Sequence, residues 1–478
     1  MDTITLIWLA LPFLAGFIIY LLPKCSRILS LAVLSISVLY PFWLLTSGQD
    51  LTLQLLDNFG VSLFIDKLSG YFILTNSLVT IAVLFYCWYE ERKAFFYTQL
   101  MILYGSVNAC FIGYDFISFY VAIEVISIAA FLLIVYPRTD KSIWIGLRYL
   151  FVSNTAMLFY LIGAILIYKA NNSFSFNGLS NSPPEAIALI LLGLLAKGGV
   201  FVSGLWLPLT HASAETPVSA LLSGVVVKAG VYPLIRLALI VDEMDHIVRI
   251  VAIATALLGV IYAIFESDVK RMLAFHTVSQ LGFVLASPPV AGIYALFHGL
   301  VKSSLFLMAG SLPTRNIKEL KHTNINTYLW IALVIASLSI SGVPLLAGYC
   351  AKVLTVKNLY PWQVMLMNIA AVGTAISFAK FIFLPHDTSA KILKQNWGFW
   401  FGVIFLLAGL IFANGFYLST YTLSNIIKAL ITVFIGWLVY FVLIKKAVIK
   451  LPRILEDFDH LIGIMSLTLV GLFWMVLP

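Results

Sequence analysis

The sequence predicts an all-α polytopic membrane protein with about 14–16 transmembrane helices, each span needing roughly 20 apolar residues. Three observations predict it. Of the 478 residues, 62% are hydrophobic and only 10% are charged, whereas a soluble domain carries about 25% charge. Apolar runs long enough to span follow one another along the whole chain. The basic residues gather in every second connection. The formal net charge is +8, but those residues stand singly or in pairs between apolar runs. That pattern fits a positive-inside bias and a bilayer as partner, not nucleic acid. Cys25, Cys87, Cys110 and Cys350 form no CxxC and no Cys/His cluster, which argues against iron–sulfur or zinc sites. No metal and no cofactor is expected in this chain.

Taken in order, the spans are expected at 3–22, 26–47, 66–88, 94–113, 115–136, 142–169, 185–209, 215–240, 246–265, 269–286, 290–312, 326–358, 362–384, 396–415, 422–444 and 461–477. The stretches 185–209 and 326–358 read as broken helices. The segment 51–67 is too interrupted to span and reads as an interfacial or strand-like connector. One set of connections holds Lys24 and Arg27, Arg92 and Lys93, Arg138 and Lys141, Lys270 and Arg271, Arg315 with Lys318 and Lys321, Lys391 and Lys394, and Lys445 with Lys446, Lys450 and Arg453. The alternate set is poor in basic residues and includes Asp242, Glu243, Asp245 and the Asn/Ser-rich 171–184. The basic set is expected on the cytoplasmic side, with the N-terminus on the other. The chain divides into N-terminal helices (1–114), a core (115–385) and C-terminal helices (386–478).

The chain is organised around 197–236, KGGVFVSGLWLPLTHASAETPVSALLSGVVVKAGVYPLIR. Lys197 and Lys228 each lie deep in an apolar run, and a polar break with Pro208, His211, Glu215 and Pro217 separates them. An ionisable group in a span costs about 2.5–3.5 kcal/mol on insertion scales. A broken helix at membrane depth is tolerated only where it is buried in protein or lines water. Both features point to ion or proton movement. Glu124 stands about nine residues into its span. Lys302 follows His298 by four, so the two share a helix face. Lys352 follows a second break, made by Gly342, Pro344 and Gly348. Two broken helices, each with a lysine, suggest two structural repeats. His211, His276 and His298 are further candidate carriers, because imidazole titrates near working pH. Lys380 is closer to a span end and reads as snorkelling.

Lysine suits this role. Burial disfavours an ammonium, and a nearby carboxylate restores it. A change in that neighbourhood worth about three pKa units is about 4 kcal/mol. A membrane potential of 150–200 mV does comparable work on one charge, at about 2.3 kcal/mol per 100 mV.

The motif Lys197…Trp206-Leu207-Pro208…His211…Thr216-Pro217…Lys228-Ala229-Gly230…Arg236 resembles the core of the antiporter-like subunits of respiratory complex I, its photosynthetic relatives and Mrp-type sodium/proton antiporters. Matches continue through Asp268…His276…Gly282, His298…Lys302…Phe306 and Ser341-Gly-Val-Pro344…Lys352. The resemblance covers roughly 60–385, and the lysine at 352 looks most like the Mrp D-type subunit or its complex I equivalent. It implies two inverted helix repeats. It implies Glu124 and Lys197 as the pair of one half-channel, Lys228 and Lys302 as central carriers, and Lys352 as the exit-side group. It further implies partner membrane subunits of an Mrp-type or NDH-1-type complex in a bacterial plasma or thylakoid membrane. Coupling would then be to cation antiport or to quinone reduction in those partners, since the chain has no flavin, quinone, haem or iron–sulfur signature. The alternative is a stand-alone secondary ion transporter. One departure stands out. Phe201-Val202-Ser203-Gly204 replaces a Phe-Pro step and a histidine common in the family.

Overall fold

The computed structural model describes residues 2–56, 60–391, 396–447 and 449–476. Lys394, residues 57–59 of the first connector and residue 477 of the last expected span lie outside the described residues. The chain opens with α1 (Asp2–Leu21), α2 (Ser26–Ser37), α3 (Leu39–Ser47) and a hairpin of β1 (Leu51–Gln54) and β2 (Ser62–Ile65). Then come α4 (Lys67–Tyr86), α5 (Ala94–Ile112), α6 (Phe116–Ile134), α7 (Asp140–Asn171), α8 (Pro184–Lys197) and α9 (Leu207–Ser213). The middle holds α10 (Thr216–Leu221), α11 (Val227–Ile240), α12 (Asp242–Phe265), α13 (Val269–Leu285), α14 (Ala291–Ala309) and α15 (Ile317–Leu320). The last part holds β3 (Ile325–Asn326), α16 (Thr327–Ser341), α17 (Ala347–Lys357), α18 (Pro361–Ile382), β4 (His386–Asp387), α19 (Trp397–Asn414), α20 (Leu423–Val439) and α21 (Phe458–Val476).

Fourteen helical stretches among the described residues are long and apolar enough to cross a membrane. With α13 and the broken α16–α17 pair they account for the sixteen expected segments. The segment 51–67 is the strand-like connector, with Leu51 opposite Ile65 and Gln54 opposite Ser62.

Polar residues at the membrane surfaces start the helices. Asp66, Asp115, Asp268 and Asn396 each accept a hydrogen bond from the amide three residues on, satisfying donors that a helix start leaves unpaired. The connections pair as the charge pattern requires. On the acidic side, the amide of Tyr114 donates to Ser62 O (2.8 Å) and that of Phe116 to Phe174 O (2.9 Å). Arg236 and Asp66 form an ion pair there at 2.5 Å. On the basic side, Arg92 pairs with Glu215 at 2.7 Å, Arg271 with Glu456 at 2.5 Å and Arg453 with Glu266 at 3.2 Å. The parallel β3–β4 pair lies on that side too. Every one of these contacts joins connections of one parity.

The core is centred on the lysine-bearing spans. In an apolar 18-residue window of Thr216–Ile240 every residue is buried, and 89% are in that of Pro288–Ala309, against 17% for Leu423–Ile444 and for Phe458–Val476. Small residues permit the closest approach. A Cβ on Gly230 would lie 2.3 Å from the Gly198 nitrogen, so α8 and α11 touch backbone to backbone beside Lys197 and Lys228.

Both broken helices form, and they run in opposite directions. The first passes from the acidic side to the basic side, the second from basic to acidic. In the first, the turn lies at Gly199 (φ +68°) and Phe201 (φ +52°). Trp206 Nε1 donates to Ala196 O at 2.9 Å, and the Phe201 amide donates to Thr255 Oγ1 at 3.0 Å. Pro208 does not make this break. It sits in the first turn of α9, where a missing N–H costs nothing. The second break lies at Gly342 (φ +88°) and Leu345 (φ +74°).

Candidate functional site

Lys197 ends α8, the first half of the first broken helix, and is 2% exposed. Its amine donates to Ser127 Oγ (2.6 Å), Ser153 Oγ (2.7 Å) and Tyr149 OH (3.3 Å). Three hydroxyls from α6 and α7 therefore hold a group that would otherwise be a bare buried cation. Glu124 lies one turn before Ser127 on the same face of α6. It makes no ion pair with Lys197, but the two interact electrostatically. Its residue is half-buried, and its Oε1 is buried without a hydrogen-bond partner. The implied pair is thus a neighbourhood with a serine between its members.

Lys228 follows a π-turn at Leu222–Val226. Such a turn shifts the hydrogen-bond ladder and leaves carbonyls free, often at functional sites. The Lys228 amine donates to the carbonyl oxygen of Gly224 and to that of Ser223 (3.4 Å). Ser223 Oγ and Thr277 Oγ1 share a hydrogen bond of 2.7 Å, and Thr277 Oγ1 donates to Leu273 O at 3.1 Å. The Lys302 amine donates to that same Leu273 carbonyl. A thread of four polar groups on α13 and the π-turn therefore links the two fully buried lysines.

His298 lies one turn from Lys302 and faces Lys228, Lys302 and His276 electrostatically. It borders a small pocket of about 10 Å³ with Gln280, Ser339 and Gly348, room for about one water. The His211 ring stacks on Phe306 (4.9 Å), and the Lys302 amine lies 5.2 Å from the centre of that same phenyl ring. His276 packs on Phe378 at 4.5 Å. All six ring nitrogens of His211, His276 and His298 are buried, with no hydrogen-bond partner among the described residues.

Lys352 sits on α17. Its amine donates to Ser341 O at 3.1 Å, the last residue of α16, and lies 5.5 Å from the Phe283 ring centre. That carbonyl is one of those a helix C-terminus leaves unpaired, where a cation is favoured. Lys352 is half-buried and lines a groove of about 1080 Å³. Lys380 is buried, and donates to Ala263 O (3.1 Å) and Glu266 O (2.9 Å). It reaches the membrane edge and closes the end of α12.

The structure thus brings Lys228, Lys302 and His298 together, sets Lys197 with Glu124 at one end and places Lys352 at the other. Sequence reasoning missed Ser127, Tyr149, Ser153, Ser223 and Thr277. The one available signal was helical spacing: Glu124 to Ser127 and Tyr149 to Ser153 each share a face.

Residues 113–377 match the family described as NADH:quinone oxidoreductase/Mrp antiporter, TM. The chain is 27% identical over 395 residues to the D-type subunit of the Na(+)/H(+) antiporter of Alkalihalophilus pseudofirmus, covering 74% of this chain and 80% of that protein. It is 29% identical over 363 residues to the N-type subunit of the NADH-quinone oxidoreductase of Desulforudis audaxviator, covering 68% and 72%. The fold is similar to a chain of the Mrp complex from Dietzia sp. DQ12-45-1b, with TM-score 0.79 and 22% identity, over 98% of this chain and 60% of that one. The buried lysines, the two opposed broken helices and a family match over more than half of the sequence agree, and the chain belongs to the NADH:quinone oxidoreductase/Mrp antiporter transmembrane family.

Proposed function

We propose that this chain is a proton-translocating membrane subunit of a multisubunit complex. Protons pass along Glu124, Lys197, Lys228, Lys302 and Lys352, with His211, His276 and His298 as further carriers. The observation that carries this reading is the polar thread from Lys228 through Ser223 and Thr277 to Lys302, laid through the most enclosed part of the molecule. Ionisable groups in a span are expensive and are retained mainly for pathways. The driving process, cation antiport or quinone reduction, belongs to partner subunits. The names of the relatives, subunits of an antiporter and of an oxidoreductase, support a place among other membrane subunits. The open face around Glu124, where Val121 and Ile128 are exposed, is where a neighbouring subunit fits.

The test is dissipation of a pH gradient by vesicles holding the intact complex, comparing wild type with Lys197→Ala and Glu124→Ala. Both variants are expected to lose most cation-driven or redox-driven proton flux with assembly preserved. Unchanged flux in both would defeat the assignment.

A further inference from the structure

A groove of about 1080 Å³ opens between α12, α17, α18 and α20. Its walls are mostly aliphatic, among them Val260, Ile264, Ile369 and Ile435. Along α18 it runs from Pro361 to Ile376, which is about 22 Å of helix. One leaflet's hydrocarbon is about 15 Å deep, so the groove accepts an extended acyl chain. Its charge is one-sided. Lys357 and Lys428 line it, with Lys352 deeper, and among the described residues no aspartate or glutamate does. Lys357 and Lys428 are exposed. Lys428 stands six residues beyond the Thr422 cap of α20, about 9 Å into the helix. A lysine at that depth needs an anion or water at its amine. Asp245, on α12 at this end, is already engaged by Arg249 (2.8 Å) and by the Tyr360 hydroxyl (3.2 Å).

We propose that this groove binds an anionic phospholipid from the leaflet opposite the basic connections. Its phosphate lies between Lys357 and Lys428, and an acyl chain lies along α18. A partner's helix is the competing occupant, and a cross-link to another subunit would reveal it. The charge decides against a zwitterionic lipid, which brings no net anion to a groove lined by lysines.

The intact complex is placed in nanodiscs of equal phosphatidylglycerol and phosphatidylcholine and then transferred to mild detergent. Native mass spectrometry counts the lipids each complex retains. The Lys357→Gln/Lys428→Gln variant is expected to retain one phosphatidylglycerol fewer than wild type, and Lys357→Arg/Lys428→Arg to retain the same number. Equal counts in all three overturn the proposal. So does a loss shared equally by the two lipids, or a cross-link from a Lys428→Cys variant to another subunit. No gradient is applied, so the count stands or falls separately from the proton reading.

Discussion

Replacing Thr277 by valine tests the central link most directly. The side chains have nearly the same shape, so the change removes one hydroxyl and little else. It deletes the 2.7 Å bond to Ser223 and the 3.1 Å bond to the Leu273 carbonyl. Ser223 is fully buried and is left without its partner, which costs about 1–3 kcal/mol. If the Thr277 hydroxyl also supports a proton in transit between Lys228 and Lys302, losing that hydrogen bond raises the barrier by a comparable amount. At 1.36 kcal/mol per factor of ten, transfer slows roughly 5- to 150-fold. The assay is proton uptake by proteoliposomes holding the intact complex, followed with an internal pH-sensitive dye. Ser106→Ala is the control. It also removes a buried hydroxyl, but one bonded only within its own helix, to Ile102 O and Leu103 O. Uptake by Thr277→Val is expected to fall at least fivefold while Ser106→Ala stays near wild type. Equal uptake by the two variants, with the complex assembled, would refute the thread as a route.

Two further outcomes follow from the same geometry. The Ser127→Ala/Ser153→Ala variant removes the two shortest hydrogen bonds to the Lys197 amine, each worth about 1.5–3 kcal/mol to a charged group. The protonated amine loses that support, so uptake should fall about tenfold or more; uptake near wild type in the assembled complex would count against the hydroxyl cradle. Gly230→Ala places a Cβ 2.3 Å from the Gly198 nitrogen, whereas Gly463 has nothing within 4 Å; the first variant should sharply lower the yield of assembled complex and Gly463→Ala should not, as size-exclusion profiles would report.

The spans and the alternation of their connections were legible because membrane insertion acts on simple quantities, run length and the placement of Lys and Arg. One missed span would have inverted every later connection, yet contacts such as Arg92–Glu215 and Arg271–Glu456 join connections of one parity. Lysine depth was legible for the same reason. The hydroxyls were not. Serine in an apolar helix usually bonds its own preceding turn, and Ser127 does so too, donating to Ile123 O at 2.8 Å. Nothing local distinguishes it from a serine with no other duty. The first break is expected from the sequence, but the residue that makes it is not. Pro208 is conspicuous in sequence, whereas the chain turns at Gly199, whose positive φ is invisible until the backbone is traced. The tertiary bonds from Trp206 and to Thr255 then hold the turn without the proline common at this point.

The two ends of the lysine row are built differently, and the difference bears on direction. At Lys197 three hydroxyls surround the amine, and Glu124 lies one helical turn from Ser127 on α6, so the amine is well supported and has a carboxylate in its neighbourhood. At Lys352 the amine meets one carbonyl and an aromatic face, and its side chain lines a groove that continues toward Lys357 at the end of α17. Under the proposed function, the well-supported end is suited to loading and the sparsely supported end to release. Because the broken helices run in opposite directions, the loading lysine closes the half-helix that enters from the acidic side, and the releasing lysine lies on the half-helix that returns to it. Inverted repeats would make these two ends alike if sequence did not intervene. What separates them here is side-chain chemistry: Ser127, Tyr149 and Ser153 at one end, and Ser341 O with Phe283 at the other.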